Sequence, residues 1–130
     1  MNTSSWFTAG AITAALGVTI GAFGAHGLPE FLAPLSGTDL AKRLEQFETG
    51  VRYHMYQSFG MVILGLVATG RSSKWLAAAG GLFAASIVLF SGLLYLLVVL
   101  NMPKLGMIVP LGGLAAIGAW VCLAVGARSK

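Results

Sequence analysis

The sequence predicts an all-α fold, an integral membrane four-helix bundle, and two observations indicate it. Charged residues make up only 9% of the 130 residues, whereas a soluble domain carries roughly 25%. The mean hydropathy is +0.85, and four apolar stretches reach the roughly 20 residues that a membrane-spanning helix needs. These predicted spans run from Trp6 to Leu28, from Val51 to Thr69, from Trp75 to Leu100 and from Leu105 to Gly126. Because spans and links use up the chain, we expect a single transmembrane domain over residues 1–130.

The N-terminal stretch is predicted to be a span and not a cleaved signal peptide. Its leader, Met1 to Ser5, has no Lys or Arg, and its apolar run is longer than the roughly 7 to 15 residues of a signal core. Cys122 is the only cysteine and falls within the last span. We therefore expect it to be a small buried apolar side chain without an intrachain disulfide.

An even number of spans places both termini on one side of the membrane. We call this the terminal side, and the opposite side, with the long link from Pro29 to Gly50, the loop side. Lys and Arg near span ends orient a membrane protein. They divide almost evenly, with Arg71, Lys74, Arg128 and Lys130 on the terminal side and Lys42, Arg43, Arg52 and Lys104 on the loop side. Assigning Arg52 to the second span favours cytoplasmic termini by a small margin, and the lack of a basic run argues against nucleic acid as a partner.

The long link contains a helical pattern. Ser36 and Asp39 have the form of a capping box, and apolar residues then recur at helical spacing opposite a polar face. The apolar residues are Leu40, Leu44, Phe47 and Val51, and the polar ones are Lys42, Arg43, Glu45 and Gln46. We predict a short amphipathic interfacial helix between spans 1 and 2 that either bends at Gly50 or runs straight into the second span. The alternative is a solvated connector with incidental periodicity.

Stripes of small residues predict close helix packing. In the first span Gly10, Gly17, Gly21 and Gly24 lie on one face. The third span repeats the pattern around Gly81 and Gly92, and the fourth has Gly112 and Gly113. Small residues let neighbouring backbones approach closely, which drives helix association in lipid. Such stripes pack helices within one protomer and between protomers equally well, so a homo-oligomer stays open.

Polar residues of several spans point toward the loop side. The candidate polar pocket consists of His26, Glu48, Arg52, Tyr53, His54, Gln57, Ser91 and Tyr95. In a purely interfacial interpretation Arg52 extends to headgroups and pairs with Glu48, while His26 caps the first helix. In a functional interpretation Arg52 binds an anionic or carbonyl group, one histidine handles protons or a headgroup, and Arg52 approaches His26. Two histidines without paired carboxylates or further cysteines predict no metal site, and nothing indicates a cofactor.

Four segments resemble one family. GAFGAHGL (Gly21 to Leu28), FETGVRYHMYQSFGM (Phe47 to Met61), LFSGLLYLL (Leu89 to Leu97) and VPLGGL (Val109 to Leu114), followed by Trp120, are similar to the domain of unknown function 423 family. The resemblance implies a four-span protein of the bacterial inner membrane, with four-span animal relatives, and no established activity. The family commonly has His at the place of Gln57 and Gln at the place of His54. In this chain the two residue types are therefore exchanged, which is compatible with a hydrogen-bonding role that either type can fill.

We therefore expect a structural, lipid-interacting or accessory membrane protein, whose partners are membrane lipids and either another membrane protein or further copies of itself. A small-solute transporter or channel is the alternative. The first span has no acidic residue, unlike the small multidrug exporters. An enzyme is less well supported, because no nucleophile with an adjacent base or phosphate-binding loop is visible. Glu48 and Arg52 at the start of the second span resemble the acidic and arginine-rich second helix of the four-span eicosanoid and glutathione enzymes, but this likeness covers only a few residues.

Overall fold

The structure is a computed structural model that describes residues 2–35 and 37–129. Every regular element in these residues is helical. The helices are α1 (Thr3–His26), α2 (Leu28–Phe31), α3 (Gly37–Val67), α4 (Lys74–Ser86), α5 (Leu93–Val99) and α6 (Val109–Arg128). A π-helical segment (Ile87–Gly92) joins α4 to α5, and a 3₁₀ helix (Pro103–Met107) precedes α6. The chain is therefore an all-helical membrane bundle, as predicted.

Three helical stretches of the described chain are long and apolar enough to cross a membrane. They are Ser5–His26, Lys74–Val99 and Pro103–Arg128. The second predicted span, which lies in α3, is not apolar enough to be counted with these three stretches. Polar side chains such as Arg52, His54 and Gln57 lower the hydropathy of its first half. The assignment of α3 as a fourth span therefore depends on where it lies in the bundle.

α1 and α3 pack antiparallel along most of their lengths, and α4 packs along α6. Gly24 of α1 lies beside Phe47 of α3, while Gly10 lies beside Val62. The chain ends meet the link between α3 and α4 at one end of the bundle. There Arg71 Nη1 donates to the carbonyl oxygen of Ala127 over 2.6 Å, and Arg71 shares a cavity with Asn2. Both described chain ends thus lie on the same side of the bundle.

Two apolar clusters form the core, and a polar layer separates them along the helices. The cluster toward the terminal side is formed by Met61, Leu64, Leu76, Ala79, Phe83, Ala119 and Leu123. The cluster toward the loop side is formed by Leu28, Leu32, Phe47, Leu97 and Val98. The buried polar residues between them are His54, Gln57, Ser58, Ser86 and Ser91. We call these five residues the polar layer.

The helix predicted in the long link is present, but it is the first part of α3. The 31 residues of α3 form one helix, about 46 Å long at 1.5 Å per residue. Gly50 lies within it and does not end it. A Cβ at Gly50 would lie 2.9 Å from Cε1 of Tyr95, so this glycine permits close approach of α5. Leu40 and Leu44 pack against the cluster on the loop side, which holds the extension to the bundle; Ser36 lies outside the described residues.

The predicted span bounds shift at the loop side. α1 ends at His26, and α2 begins at Leu28 with Pro29 in its first turn, where a proline removes no needed donor. α6 begins at Val109, because the stretch before it forms the 3₁₀ helix. The first and fourth predicted spans are thus each shorter as α-helix at this side.

The glycines of α1 lie against α3. A Cβ at Gly10 would lie 2.7 Å from the backbone nitrogen of Val62, and one at Gly17 would lie 2.6 Å from Sδ of Met55. At Gly21 the distance would be 3.1 Å to Cγ1 of Val51, and at Gly24 it would be 2.8 Å to the Phe47 ring. These helices therefore approach closely, and an added side chain would meet backbone atoms of α3 at Gly10 and side chains of α3 at the other three positions.

The prediction that Gly81 packs against a neighbouring helix is wrong. Gly81 is exposed, and a Cβ placed on it would have no neighbouring atom within 4 Å, whereas its neighbour Gly80 meets the indole of Trp6. A Cβ at Gly92 would have only an ordinary contact of 3.5 Å with its own helix. In α6, a Cβ at Gly112 would meet the backbone of Leu89 and Phe90, while one at Gly113 would lie 3.8 Å from the Phe90 ring. Gly60, Gly65 and Gly126 also allow close packing, and sequence spacing did not identify them.

Candidate functional site

His54 connects three helices through the polar layer. Its side chain is buried on α3, with Nε2 2.8 Å from the backbone oxygen of Thr13 on α1 and Nδ1 2.9 Å from the hydroxyl of Tyr95 on α5. A carbonyl oxygen only accepts, so Nε2 carries a proton and donates to Thr13. The Tyr95 hydroxyl then donates to Nδ1 whenever Nδ1 is unprotonated. The imidazole is thus held at both nitrogens.

Gln57 connects α3 to α6 one turn further along. Its side chain is 2% exposed, and Trp120 Nε1 donates to its Oε1 over 3.1 Å. Trp120 packs edge-on against Phe83, with ring centroids 5.1 Å apart. Because Oε1 accepts from the indole, the amide group presents its NH₂ as the remaining donor. That nitrogen makes no hydrogen bond to any other residue that the structure describes.

Ser91 has a buried hydroxyl group without a partner in the described chain. Its Oγ is fully enclosed and makes no hydrogen bond within the described chain. It lies in the π-helical segment Ile87–Gly92, where the usual hydrogen bonding of an α-helix is interrupted. Ser58, by contrast, donates from Oγ to the backbone oxygen of His54 over 2.9 Å.

A lateral groove opens between α3 and α6 beside Gln57. Its volume is ≈ 790 Å³. Its lining is mostly apolar and aromatic and consists of Tyr53, Tyr56, Gln57, Phe59, Phe90, Pro110, Gly113, Leu114, Ala116, Ile117 and Trp120. Tyr53 packs against Phe90, with ring centroids 4.9 Å apart, and edge-on against Tyr56 at 5.3 Å. Phe59, Leu114 and Ile117 are exposed, so the groove opens sideways, toward the surroundings of the bundle.

The predicted polar pocket is divided into separate groups. His54, Tyr95, Gln57 and Ser91 belong to or contact the polar layer, and Tyr53 lines the groove. Glu48 and Arg52 form an exposed ion pair at 3.3 Å, so they do not belong to this buried group. Glu48 instead borders a smaller groove of ≈ 440 Å³ beside Gly21, Gly24 and Phe47.

No hydrogen bond or ion pair joins His26 to Arg52 in the described structure. His26 is exposed at the end of α1. Arg52 follows Val51, which lies beside Gly21. His26 is five residues beyond Gly21, and therefore roughly 7 Å further along the helix axis. The guanidinium of Arg52 extends toward Glu48, which borders the same groove as Ala25, so the approach of Arg52 to His26 stays a prediction.

Sequence reasoning missed two partners of the site. Trp120 lies deeper than Trp6 and Trp75, which start their spans, and a buried indole usually needs a hydrogen-bond acceptor. Its depth was therefore a usable signal. Thr13 contributes a backbone oxygen, for which no side-chain pattern gives a signal. Among the residues with a described position, no three His, Cys, Asp or Glu side chains come together as a metal site would require.

Comparison of the sequence with known proteins shows the family of this chain. Residues 20–113 match the family model described as "Protein of unknown function (DUF423)". The chain is 44% identical over 119 residues to the UPF0382 membrane protein YwdK of Bacillus subtilis, covering 91% of each chain. It is 31% identical over 117 residues to the UPF0382 inner membrane protein YgdD of Escherichia coli, covering 90% of this chain and 84% of the relative. No solved structure is significantly similar to it. The chain, a membrane protein, thus belongs to the DUF423 family.

Proposed function

We propose that this protein binds a lipid-like ligand in the bacterial inner membrane. The ligand is a neutral molecule that dissolves in the hydrocarbon core and carries a hydrogen-bond acceptor, and it occupies the lateral groove between α3 and α6. The observation that carries this proposal is the amide of Gln57, a hydrogen-bond donor in an otherwise apolar and aromatic groove.

The chemistry of Gln57 selects an acceptor. Its Oε1 already accepts from Trp120, so the groove presents the amide NH₂. This donor faces a mostly apolar groove, and a donor that finds no hydrogen-bond partner in surroundings without water costs about 1 to 3 kcal/mol. A ligand with a carbonyl oxygen would remove this cost, whereas a purely hydrocarbon ligand would not. The groove therefore favours a carbonyl-bearing ligand over an alkane chain.

The depth of Gln57 favours a neutral ligand. Its neighbour Ser58 lies beside Gly10, and His54 lies beside Gly17, so Gln57 is level with the middle of α1. A phospholipid keeps its charged headgroup at the interface, because charge near the bilayer centre is costly. A molecule without a charged headgroup can reach this level.

The groove walls favour a planar group. Tyr53, Phe90 and Trp120 line it, and aromatic rings pack well against other flat rings in edge-on or offset arrangements. A ring with carbonyl oxygens and an alkyl tail, as in quinones, can accept a hydrogen bond from Gln57, reach its level in the bilayer and pack against the aromatic side chains of the groove. The sideways opening would let such a ligand enter from the bilayer.

A benzoquinone with a decyl tail is a suitable probe, since quinones quench tryptophan fluorescence on contact. The protein would carry Trp6→Phe and Trp75→Phe, so that only Trp120 reports. We expect saturable quenching. Gln57→Leu should weaken the apparent affinity several-fold, as loss of one hydrogen bond of about 1 kcal/mol implies.

Gly113→Leu provides the steric test. A Cβ at Gly113 has room beside Phe90, and the rest of the leucine would fill the groove. We expect it to abolish saturable quenching, while the matched control Gly81→Leu on an open surface should leave it intact. Equal saturation in Gly113→Leu and in the control would contradict the proposal, as would quenching that rises linearly in every protein.

A further inference from the structure

We propose a second, independent binding site on the terminal side, where Arg71 and Arg128 bind the phosphate of an anionic membrane lipid. We call it the terminal cavity. Its volume is ≈ 360 Å³, and it is lined by Gly70, Arg71, Ser72, Ser73, Arg128 and Ser129. It therefore combines two guanidinium groups with three serine residues.

The two arginines are held at one place by the fold. Arg71 Nη1 donates to the carbonyl oxygen of Ala127 over 2.6 Å, which fixes its guanidinium beside the residue that precedes Arg128. The hydroxyl oxygens of Ser129 and Ser73 lie 3.2 Å apart, within hydrogen-bond distance, which joins the end of α6 to the start of α4. The remaining guanidinium nitrogens of Arg71 and the whole guanidinium of Arg128 make no hydrogen bond to a described residue.

No acidic side chain balances this charge. The chain has four acidic residues, Glu30, Asp39, Glu45 and Glu48, and all of them lie in α2 or the first half of α3 at the other end of the bundle. Lys74 adds a further positive charge beside the terminal cavity. A guanidinium pairs strongly with phosphate oxygens through parallel hydrogen bonds. The two guanidinium groups, neither of which pairs with a carboxylate of a described residue, therefore favour a phosphate as ligand.

The level of the terminal cavity favours a lipid as the source of that phosphate. Trp75 is the second residue of α4 and is exposed, as an interfacial tryptophan is. Lys74 Nζ lies 5.7 Å from the centroid of its ring, within the range of a cation–π contact. The arginines thus lie at the level where lipid phosphates are found, and basic residues at this level attract anionic lipids.

The experiment is native mass spectrometry of the full chain with phosphatidylglycerol as the anionic probe. Phosphatidylcholine, which is zwitterionic with zero net charge, is the reference. We expect retained phosphatidylglycerol in the wild type and at least a several-fold loss in Arg71→Gln/Arg128→Gln. Arg71→Lys/Arg128→Lys keeps the charge but loses the parallel hydrogen bonds of the guanidinium groups, so it should retain less lipid than the wild type and more than the glutamine variant. Arg128→Gln alone leaves the hydrogen bond of Arg71 to Ala127 in place, so a loss in this variant cannot come from disruption of that contact.

The matched control is Lys42→Gln/Lys104→Gln, which removes the same charge from the loop side. Equal retention in the two glutamine double variants would overturn the proposal. Displacement of the lipid by millimolar inorganic phosphate would overturn the lipid as the source and indicate a soluble phosphate. Quinone quenching of Trp120 should be unchanged in the arginine variants, so failure here leaves the proposed groove ligand unaffected.

Discussion

The backbone oxygen of Thr13 lies 2.8 Å from Nε2 of His54, so α1 contributes an acceptor to the polar layer although it has no ionisable side chain before His26. The same imidazole binds Tyr95. One side chain thus fixes the positions of α1 and α5 relative to α3. In a membrane, where apolar contacts alone give little discrimination between helix registers, such a bond adds specificity.

The contact between His54 and Tyr95 should appear as a coupling free energy. We expect His54→Leu and Tyr95→Phe each to destabilise the bundle, since each leaves a buried polar group without its partner. The double variant should lose less than the sum of the two, by on the order of 1 kcal/mol. Unfolding in mixed detergent micelles measures all four proteins. Additive losses would show that this hydrogen bond does not contribute.

Gly10 and Gly81 should respond in opposite directions to the same substitution. Gly10→Ala places a methyl group 2.7 Å from the backbone nitrogen of Val62, and overpacking of this kind costs about 1 to 3 kcal/mol. Gly81→Ala meets open space and should stabilise its helix by about 0.5 to 1 kcal/mol. Thermal unfolding in detergent compares the two. A Gly10→Ala variant as stable as the wild type would contradict the close contact of α1 with α3.

The continuity of α3 predicts a distance between spin labels. Labels at Lys42 and Leu66, both exposed, should be about 36 Å apart along one straight helix. A right-angle bend at Gly50, with the first part lying flat in the interface, would shorten this to about 27 Å. Pulsed electron paramagnetic resonance in bilayers distinguishes the two. The shorter distance would show that the first part of α3 is a separate interfacial helix and would contradict the continuous helix.

Membrane orientation is predicted from the same positive charges that form the terminal cavity. With Arg52 level with the interior of α1, four basic residues of the terminal side outnumber three of the loop side and favour a cytoplasmic terminal side; they are Arg71, Lys74, Arg128 and Lys130 against Lys42, Arg43 and Lys104. Green fluorescent protein at the C-terminus should then fluoresce, and alkaline phosphatase there should be inactive. Alkaline phosphatase inserted at Gly37 should be active if α3 crosses the membrane. Active phosphatase at the C-terminus would show the opposite orientation, with the terminal side outside the cytoplasm.

The helical fold was predictable because hydropathy over long windows is a strong signal, and the glycine stripe of α1 was visible from its spacing. The choice between Gly80 and Gly81 was not, because adjacent residues of a helix point in directions about 100° apart and only the position of Trp6 shows which faces a neighbour. Sequence proximity likewise grouped Arg52 with His54. The structure separates them, since Arg52 is exposed and His54 is buried on different faces of α3.

By itself the sequence determined that this protein belongs in a membrane, because a chain so poor in charge and so rich in long apolar stretches has no stable alternative in water. It also determined which residues share a helix face, since helical periodicity is local. Only the tertiary structure decided which faces meet. That pairing placed Thr13 against His54, Gln57 against Trp120 and Arg71 beside Arg128, because these contacts join residues far apart in the chain and depend on the packing of whole helices.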